Sequence, residues 1–489
     1  MTDPESNHLT PSPVLAKALQ STHCATAEEA RFPSSNQGWR WWLLLLSIGL
    51  LSLGFRYYYL IHAQVLQPFY DQQHARADGV EYYAYAGNLV HHGVFSKSPE
   101  GTSPLVGDSY RDPGYPVFLA GWLKIYPQWD SWYPAVLLTQ GVLSALSVML
   151  ALYMGRQWIP LKWLAGGGVL MALWPHNVSM SSFLLSESLF GFLCMLSLSL
   201  LTFGIQRRSV VWMGSSGIGF AFSALTNAVL LPFAPLLGLY LVYRRYITLQ
   251  MFAWLMVGAL TLPAAWASRN LALPPASGDS SAGRALDTLV IGSWPDFYET
   301  NKASLKNDPA AVSNLNQVVR EAALINQDLT AGLIELAHRM GTHPLEYARW
   351  YLLKPALLWG WNIRVGQGDI YVYPTRKSPF EENVGYRAIA AVCHTLNHLI
   401  FVFMLLGWIL ALWPKQKAPG SLVASTLILA FITAVYTALQ SEPRYSIAFR
   451  PLEILLATFS LYRAVFWLNH KIRPGSRSAD QINQDALDP

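Results

Sequence analysis

Long apolar stretches separated by short polar segments dominate the chain. The first, residues 41–61, is long enough to cross a hydrocarbon core of about 30 Å at about 1.5 Å per helical residue. Nine later stretches resemble it, so the pattern predicts an all-α polytopic membrane protein with about ten transmembrane helices. The nine are residues 132–153, 163–174, 183–205, 210–225, 228–243, 251–267, 389–413, 422–439 and 447–468.

Lys and Arg are concentrated in alternate connections, which orients the helices by the positive-inside rule. The short turns on the opposite side, near Asn177 and Thr226, carry neither residue. We therefore predict an inner-membrane protein with both termini in the cytoplasm. The orienting residues are Arg31, Arg40, Arg156, Lys162, Arg207, Arg208, Arg244, Arg245, Lys415, Lys417, Lys471, Arg473 and Arg477.

Two long connections fall on the outer side. Residues 62–131 form a first outer loop, in which 114–126 is apolar but too short to span, as in an interfacial helix. Residues 268–388 form the only segment large enough for a water-facing subdomain. The predicted organisation is a polar tail 1–40, a transmembrane module 41–267, the outer segment 268–388, the C-terminal helices 389–468 and a tail 469–489.

Helix boundaries can be predicted inside the outer segment. Asp308 before Pro309 is typical of a helix start, and so is Thr342 followed by Pro344 and Glu346. The second helix is strongly aromatic, and Pro355 is expected to kink or end it.

Composition supports this architecture and excludes other classes. Hydrophobic residues make up 52% of the chain and charged residues 13%, about half the charged fraction of soluble domains. The formal charge of +5 is too small to indicate a nucleic-acid partner. Three cysteines, two of them inside apolar stretches, provide no disulfide framework.

The polar residues that lie in or beside the predicted spans map, except for the deeper Arg450 and Glu453, to the outer mouth of the predicted bundle, where charged residues of the first loop are also expected. A charge at bilayer depth costs about 2.5 to 3.5 kcal/mol, so each one requires a reason. We expect these chain-distant groups to converge in an active site. They are Asp78, Glu81 and Arg111 of the first loop, Glu187, Arg269 with Asn270, and Arg444 with Tyr445 before the last helix.

A carboxylate among arginines has a definite chemical use. The planar guanidinium of arginine binds phosphate oxygens in a bidentate manner, and an aspartate can accept the proton of an attacking hydroxyl. Transfer from a phosphate-linked donor needs these parts, and the acidic leaving group needs no separate proton donor.

The first outer loop also carries a recognisable set of motifs. They are Asp78-Gly-Val-Glu81-Tyr82-Tyr83, Ala86-Gly-Asn-Leu89, Gly93-Val-Phe95 and Arg111-Asp-Pro113-Gly-Tyr-Pro116 with Phe118-Leu-Ala. Later in the chain follow Ser186-Glu187-Ser-Leu-Phe190, Arg269-Asn270, His343-Pro344 leading to Trp359, and Arg444-Tyr445. In this order, from Trp41 to Leu468, they resemble the C-type (GT-C fold) membrane glycosyltransferases, above all family 39 with the protein O-mannosyltransferases and the lipid A aminoarabinose transferases.

The resemblance implies a hexosyl or pentosyl transferase that moves a sugar from a polyprenyl phosphate to a lipid, glycan or protein acceptor on the outer face, with inversion. Asp78 corresponds to the family's catalytic carboxylate and is expected to act as base, with Glu81 beside it. Arg111, Arg269 and Arg444 are predicted to bind the donor phosphate, supported by Tyr82, Glu187 and Tyr445. The chain departs from the family pattern in two places. Many relatives pair Asp directly with Glu, whereas this chain has Asp78-Gly-Val-Glu81. Relatives often have Arg where this chain has Asn227, which weakens a phosphate-binding role for Asn227.

Structural roles compete with these assignments. Asp78 can be a solvated loop acid, Glu81 a helix-start residue, Arg111 with Asp112 a turn, and Glu187 a residue that positions the first loop. The residue types at two further places favour structure alone. Arg450 and Glu453 lie three apart and are expected to pair, and Arg56 is expected to snorkel outward or pair with a first-loop acid.

No cofactor is required by the sequence. A divalent cation, Mg or Mn, bridging Asp78 and the donor phosphate is compatible with it, because hard cations take carboxylate and phosphate oxygens. His394 and His398 are one helical turn apart but have no evident third ligand.

Two other functions remain open. The first is a transporter or flippase of lipid-linked sugars, although charges crowded at one face are unlike the midplane sites of transporters. The second is an enzyme like the O-antigen ligases or polymerases, against which the first-loop Asp pattern argues.

Overall fold

A computed structural model describes residues 35–66, 78–99, 101–274, 280–413 and 418–472. Of the sequence predictions, those that involve Arg31, Lys415, Lys417, Arg473 and Arg477 lie outside the described residues. The chain divides into two compact units, 1–44 and 45–489. The described part of the first unit is the beginning of helix α1, and the contacts given below belong to the second unit.

Helices account for nearly all of the described secondary structure. Two-residue strands β1 (Gln64–Val65) and β2 (Thr375–Arg376) pair in antiparallel fashion, with Gln64 opposite Arg376. The helices are α1 Ser35–His62, α2 Asp78–His92, α3 Gly114–Ile125, α4 Trp129–Gly155, α5 Leu161–Leu173, α6 Pro175–Met180, α7 Glu187–Arg207, α8 Val210–Thr226, α9 Phe233–Tyr243, α10 Leu249–Leu271, α11 Ser281–Ser293, α12 Phe297–Ser304, α13 Pro309–Gln327, α14 Leu329–Thr342, α15 Pro344–Leu358, α16 Pro379–Glu382, α17 Val384–Leu412, α18 Gly420–Ala438, α19 Pro443–Ser446 and α20 Arg450–Ile472.

The prediction of an all-α polytopic membrane protein is confirmed. By length and composition, seven helices of the described chain can cross a membrane: Gly38–His62, Trp129–Gly155, Glu187–Arg207, Leu249–Leu271, Val384–Leu412, Gly420–Ala438 and Pro443–Asn469. The other three predicted spans coincide with shorter apolar helices, Leu161–Leu173, Val210–Thr226 and Ala228–Tyr243. The total of ten therefore stays a prediction.

Small residues allow the membrane helices to approach closely. A Cβ on Gly217 of α8 would lie 2.3 Å from the carbonyl oxygen of Leu255, and one on Gly258 of α10 would lie 2.4 Å from that of Gly214. The backbones of α8 and α10 are thus in direct contact, as is common where small residues face each other in lipid.

The outer segment has its own small apolar core. Val290, Val318, Ile325 and Leu336, from α11, α13 and α14, are almost completely buried against one another. Beside them Arg339 and Glu321 form a buried ion pair of 2.9 Å. This part of the chain therefore packs as a helical unit outside the long apolar helices.

The predicted helix starts in the outer segment are confirmed. Helix α13 begins at Pro309, with the Asp308 carboxylate accepting from the backbone N–H groups of Ala310 and Ala311. Helix α15 begins at Pro344 and continues through Pro355 to Leu358, so this proline does not end it.

Two predictions about buried charges have different outcomes. Arg450 and Glu453 pair at 2.8 Å with both side chains completely buried, as expected. The prediction for Arg56 is wrong, because its side chain does not reach the surface and, among the residues that the structure describes, forms no ion pair with an acid. It is fully buried and donates to Ser144 Oγ, to Ser52 and to the Ala172 carbonyl oxygen, near the C-terminus of α5, where unpaired carbonyl groups attract a cation.

Candidate active site

Asp78 lies between two arginines that come from opposite ends of the chain. Its Oδ1 atom is 2.6 Å from Arg111 Nη2, and its Oδ2 atom is 2.8 Å from Arg444 Nη2. Each arginine holds a second carboxylate as well. Arg111 Nε donates to Glu81 Oε2 at 2.6 Å, and Arg444 Nε donates to Glu187 Oε1 at 2.5 Å. We call Asp78, Glu81, Arg111, Glu187 and Arg444 the five-residue cluster.

Local structure explains the first-loop half of the cluster. Asp78 and Glu81 occupy the first turn of α2, where the helix dipole favours acidic side chains. Residues three apart share one helix face, so both carboxylates reach the same guanidinium of Arg111. The backbone N–H of Gly79 donates to the hydroxyl of Tyr373 at 3.1 Å, which ties this turn to the outer segment.

The membrane half of the cluster consists of two further helix beginnings. Glu187 is the first residue of α7, and Arg444 is the second residue of α19. A Cβ on Gly191 would lie 3.1 Å from the Ala448 carbonyl oxygen, so α7 packs tightly against the chain just after α19. This close contact holds Glu187 and Arg444 within reach of each other.

Burial is uneven across the cluster. The side chains of Arg111, Glu187 and Arg444 are about one-tenth exposed, whereas those of Asp78 and Glu81 are 26% and 23% exposed. The two first-loop carboxylates are therefore the members most open to a ligand.

The surrounding charges perturb the ionisation of Asp78. Burial by itself raises the pKa of this carboxyl, but Arg444 and Arg111 outweigh it and hold the pKa well below its usual range. Burial lowers the pKa of Arg111, yet Asp78 and Glu81 raise it well above its ordinary value. Asp78 is thus fully ionised near neutral pH, and it is a weak base while both arginines remain on it.

Aromatic rings cover the cluster from one side. The guanidinium carbon of Arg111 lies 5.1 Å from the centre of the Tyr82 ring, and Tyr82 meets Tyr115 edge to face at 4.9 Å. Tyr82 thus contacts Arg111, and its supporting role at the site stays a prediction.

Arg269 and Tyr445 contact other groups. Arg269 donates to the carbonyl oxygens of Asp108 and Phe95 and stacks on Trp266, so it holds the backbone of the first loop rather than Asp78. Tyr445 stacks in parallel on Tyr436 with ring centres 4.8 Å apart. The structure thus brings together five of the eight predicted site residues through ion pairs, joins Tyr82 to them, and places Arg269 and Tyr445 at their margin.

The sequence did not point to Arg284, which extends the cluster. Arg284 of α11 lies 3.1 Å from Asp112 Oδ2, and the same oxygen accepts from the backbone N–H of Ala228. Asp112 follows Arg111 directly, so this contact fixes the Arg111 backbone to the outer segment. Arg284 gave no signal in the sequence because its segment has an ordinary density of charged residues.

A second buried pair adjoins Arg444. Arg364 donates through Nη2 to the Ser441 carbonyl oxygen at 2.6 Å, and its Nε lies 3.4 Å from Glu442 Oε2. Glu442 is completely buried, and burial raises its pKa above the ordinary value although Arg364 opposes this. The chain leading into Arg444 is therefore fixed by the outer segment.

The residues around Asp78 do not fit a divalent cation. Both carboxylate oxygens of Asp78 already face guanidinium groups. Across the described ranges, no three His, Cys, Asp or Glu side chains come close enough to hold a metal ion. A cation at Asp78 would have to displace one arginine, and the positive charges of Arg111 and Arg444 would repel it.

Of three comparisons with known proteins, only the one with solved structures finds similar chains. No family model and no curated protein matches the sequence. Among solved structures, the apo oligosaccharyltransferase of Archaeoglobus fulgidus is 14% identical, with 90% of this chain covering 52% of that one at a TM-score of 0.47. The archaeal oligosaccharyltransferase AglB from Archaeoglobus fulgidus, in complex with an inhibitory peptide and a dolichol-phosphate, is 12% identical. There 91% of this chain covers 53% of that one, at a TM-score of 0.46. ArnT of Cupriavidus metallidurans bound to undecaprenyl phosphate is 13% identical, with 87% of this chain covering 78% of that one at a TM-score of 0.33.

These proteins are membrane glycosyltransferases of the GT-C type, the class that the sequence motifs resemble. One structure of the archaeal enzyme was determined with zinc and sulfate. The chain spans about half the length of the archaeal proteins it matches. At these TM-scores, a functional assignment has to rest on the geometry of the site.

Proposed function

We propose that the protein is an inverting glycosyltransferase that moves a sugar from a polyprenyl phosphate to an acceptor hydroxyl at the outer face of the membrane. One observation carries this proposal: the carboxylate of Asp78 is shared by Arg111 and Arg444, in a chain that also has apolar helices long enough to cross a membrane. A carboxylate and two phosphate-binding cations are the parts that the reaction needs.

The arginines account for donor binding. A polyprenyl phosphate sugar brings a phosphate diester with one negative charge, held at the membrane surface by its lipid tail. The guanidinium groups of Arg111 and Arg444 can exchange Asp78 for phosphate oxygens with the same fork geometry. Glu81 and Glu187 keep both arginines oriented during this exchange.

Donor binding also explains how Asp78 becomes a base. When the phosphate draws a guanidinium away, the lowering influence on the Asp78 pKa weakens, and the pKa rises towards the range where the carboxylate accepts protons well. Activation thus follows the arrival of the donor, which limits unproductive chemistry in the empty enzyme.

The bond changes balance without a further reactant. Asp78 takes the proton of the acceptor hydroxyl as its oxygen bonds to the anomeric carbon on the face opposite the phosphate. The bond from that carbon to the phosphate oxygen breaks, and its electron pair leaves with the polyprenyl phosphate. Arg111 and Arg444 stabilise the charge that develops on the departing phosphate.

The remaining assignments follow from this arrangement. Arg269 supports donor binding indirectly, by holding the first-loop backbone at Asp108. The outer segment 268–388 contacts the site through Arg284, Arg364 and Tyr373, so it is the part expected to select a lipid, glycan or protein acceptor. With the tails in the cytoplasm, the site faces the periplasmic or extracellular side.

The test is transfer by purified protein in proteoliposomes that contain a panel of sugars linked to polyprenyl phosphate or, separately, to polyprenyl pyrophosphate. Release of polyprenyl phosphate should depend on a matching acceptor, and Asp78→Asn, which preserves shape, should reduce it by about a hundredfold or more. Asp130→Asn is the matched control, because Asp130 is exposed at the start of α4.

Full activity of Asp78→Asn would remove the catalytic assignment. If no donor of the panel is turned over and labelled lipid crosses the bilayer instead, the protein is a flippase. Turnover confined to pyrophosphate-linked donors would place it with the ligases and polymerases.

A further inference from the structure

Lys354 is a completely buried lysine in helix α15, away from the five-residue cluster. In the described part of the chain no carboxylate forms an ion pair with it. Its amino group instead donates to two backbone carbonyl oxygens, those of Gly292 at 2.7 Å and of Leu439. Burial lowers the pKa of Lys354 to about 7, as expected of an ammonium group without a counter-ion.

Both carbonyl groups belong to helix ends. Gly292 lies in the last turn of α11, and Leu439 directly follows the last residue of α18. The final carbonyl groups of a helix have no partner within the helix and carry partial negative charge. One amino group between two such ends therefore joins α11 of the outer segment to α18 of the membrane bundle.

The two helix ends are in direct backbone contact. A Cβ on Gly292 would lie 2.1 Å from the Leu439 carbonyl oxygen, so only glycine fits at this position. Trp350 Nε1 donates to the Gly292 carbonyl oxygen at 3.0 Å, alongside Lys354. The ends of α11 and α18 are therefore tightly packed, and the Lys354 amino group hydrogen-bonds to both of them.

Arg444 follows Leu439 by only five positions in the chain. We call these residues the 439–444 segment. It starts at Leu439, which Lys354 holds, and ends at Arg444, which reaches Asp78 and Glu187. Its middle is also held by the outer segment, through Tyr298 to Gln440 and through Arg364 to Ser441 and Glu442.

We propose that Lys354 is a positioning residue for Arg444: it fixes the start of the 439–444 segment and so sets where the guanidinium meets Asp78. This inference rests on the proposed function for its catalytic consequence, but its structural part does not. A lysine suits the task because its amino group, with or without its third proton, keeps two N–H donors for the two carbonyl oxygens. An apolar side chain would take the Lys354 donor from the buried Leu439 oxygen and leave the Gly292 oxygen with Trp350 Nε1 alone.

The first measurement is hydrogen–deuterium exchange of the full-length protein in nanodiscs. Lys354→Met should raise amide exchange in the 439–444 segment and leave α2 and α4 as protected as in the wild type. Lys354→Arg, which retains donors, should restore protection in part. Lys302→Met serves as control, since Lys302 is half exposed and has a surface partner, Glu299, at 3.4 Å.

The second measurement is a double-mutant cycle on donor-dependent turnover. Lys354→Met alone should lower kcat/KM by about tenfold or more, the effect of losing hydrogen bonds from a charged group. In the Arg444→Lys background it should have little further effect, because the group that it positions has already changed. A variant that only loosens the fold would act equally in both backgrounds.

Unchanged exchange in the 439–444 segment of Lys354→Met would overturn the inference, and so would full additivity with Arg444→Lys. If Lys354→Met does not fold, Lys354→Gln, whose terminal nitrogen is one atom closer to the backbone, is judged by the same two criteria. If the wild type turns over no donor, the proposed function fails while the exchange measurement still decides the role of Lys354.

Discussion

Arg444 Nη2 lies 2.8 Å from Asp78 Oδ2, although the two residues stand near opposite ends of the chain. The contact joins the first outer loop to the start of the last membrane unit. Because Arg111 holds the other oxygen of Asp78, the carboxylate is charge-paired on both sides. A donor phosphate can exchange with it at either arginine, and this is the basis of the predictions that follow.

Replacement of Glu187 by Gln should impair the enzyme through Arg444. The substitution preserves shape but removes the charge that orients the guanidinium at Nε. Arg444 would then pair more strongly with Asp78, its remaining carboxylate partner. We expect kcat to fall by about tenfold, as for the loss of a charged hydrogen bond. Steady-state kinetics with a saturating donor measure this; an unchanged kcat would show that Arg444 needs no second carboxylate.

Arg111→Lys should be far from conservative. The guanidinium contacts Asp78 and Glu81 at the same time, through Nη2 and Nε. Lysine offers a single charged point and cannot reproduce this fork. We expect a free energy of unfolding lower by about 1 to 3 kcal/mol and a clear rise in KM for the donor. Thermal unfolding and donor titration measure the two effects, and a KM equal to that of the wild type would exclude phosphate binding by Arg111.

The lowered pKa of Asp78 predicts how stability depends on pH. A carboxyl whose pKa is lower in the folded than in the unfolded chain contributes stability above the unfolded value of about 3.9. This contribution is lost as the pH falls through the folded pKa. The difference in unfolding free energy between wild type and Asp78→Asn should thus be constant from pH 8 to about pH 5 and shrink below about pH 4. A difference that changes between pH 8 and pH 6 would contradict the assignment of the two arginine pairs.

Chelation of metal ions should leave transfer intact. Guanidinium groups already face both oxygens of Asp78, so added Mg or Mn has no favourable place on that carboxylate. Excess EDTA should leave kcat within about twofold of its value in added Mg, well below the effect of removing a group that stabilises the transition state. Loss of activity that Mn or Mg restores would mean that the donor phosphate and a cation together displace an arginine.

Part of the site could be predicted from the sequence because membrane chains make charge costly. Glu187 and Arg444 are recognisable at the ends of apolar stretches, and Asp78, Glu81 and Arg111 by the motifs of the first outer loop. The structure joins all five by ion pairs. Arg284 and Lys354 could not be found in this way. They lie in the outer segment, where charged residues are common and a buried cation looks like any surface one.

The sequence by itself determined the class of protein, since apolar stretches of membrane length form helices that satisfy their own backbone groups in lipid. It also singled out Asp78, Glu81, Arg111, Glu187 and Arg444, which the structure joins by ion pairs. Only the tertiary structure decided their pairing, because contacts such as that of Asp78 with Arg444 depend on how distant helices pack. It alone showed that Arg269 holds a loop, that Arg56 is buried, and that Lys354 joins two helix ends, since hydrogen bonds to backbone carbonyl oxygens leave no pattern in the sequence.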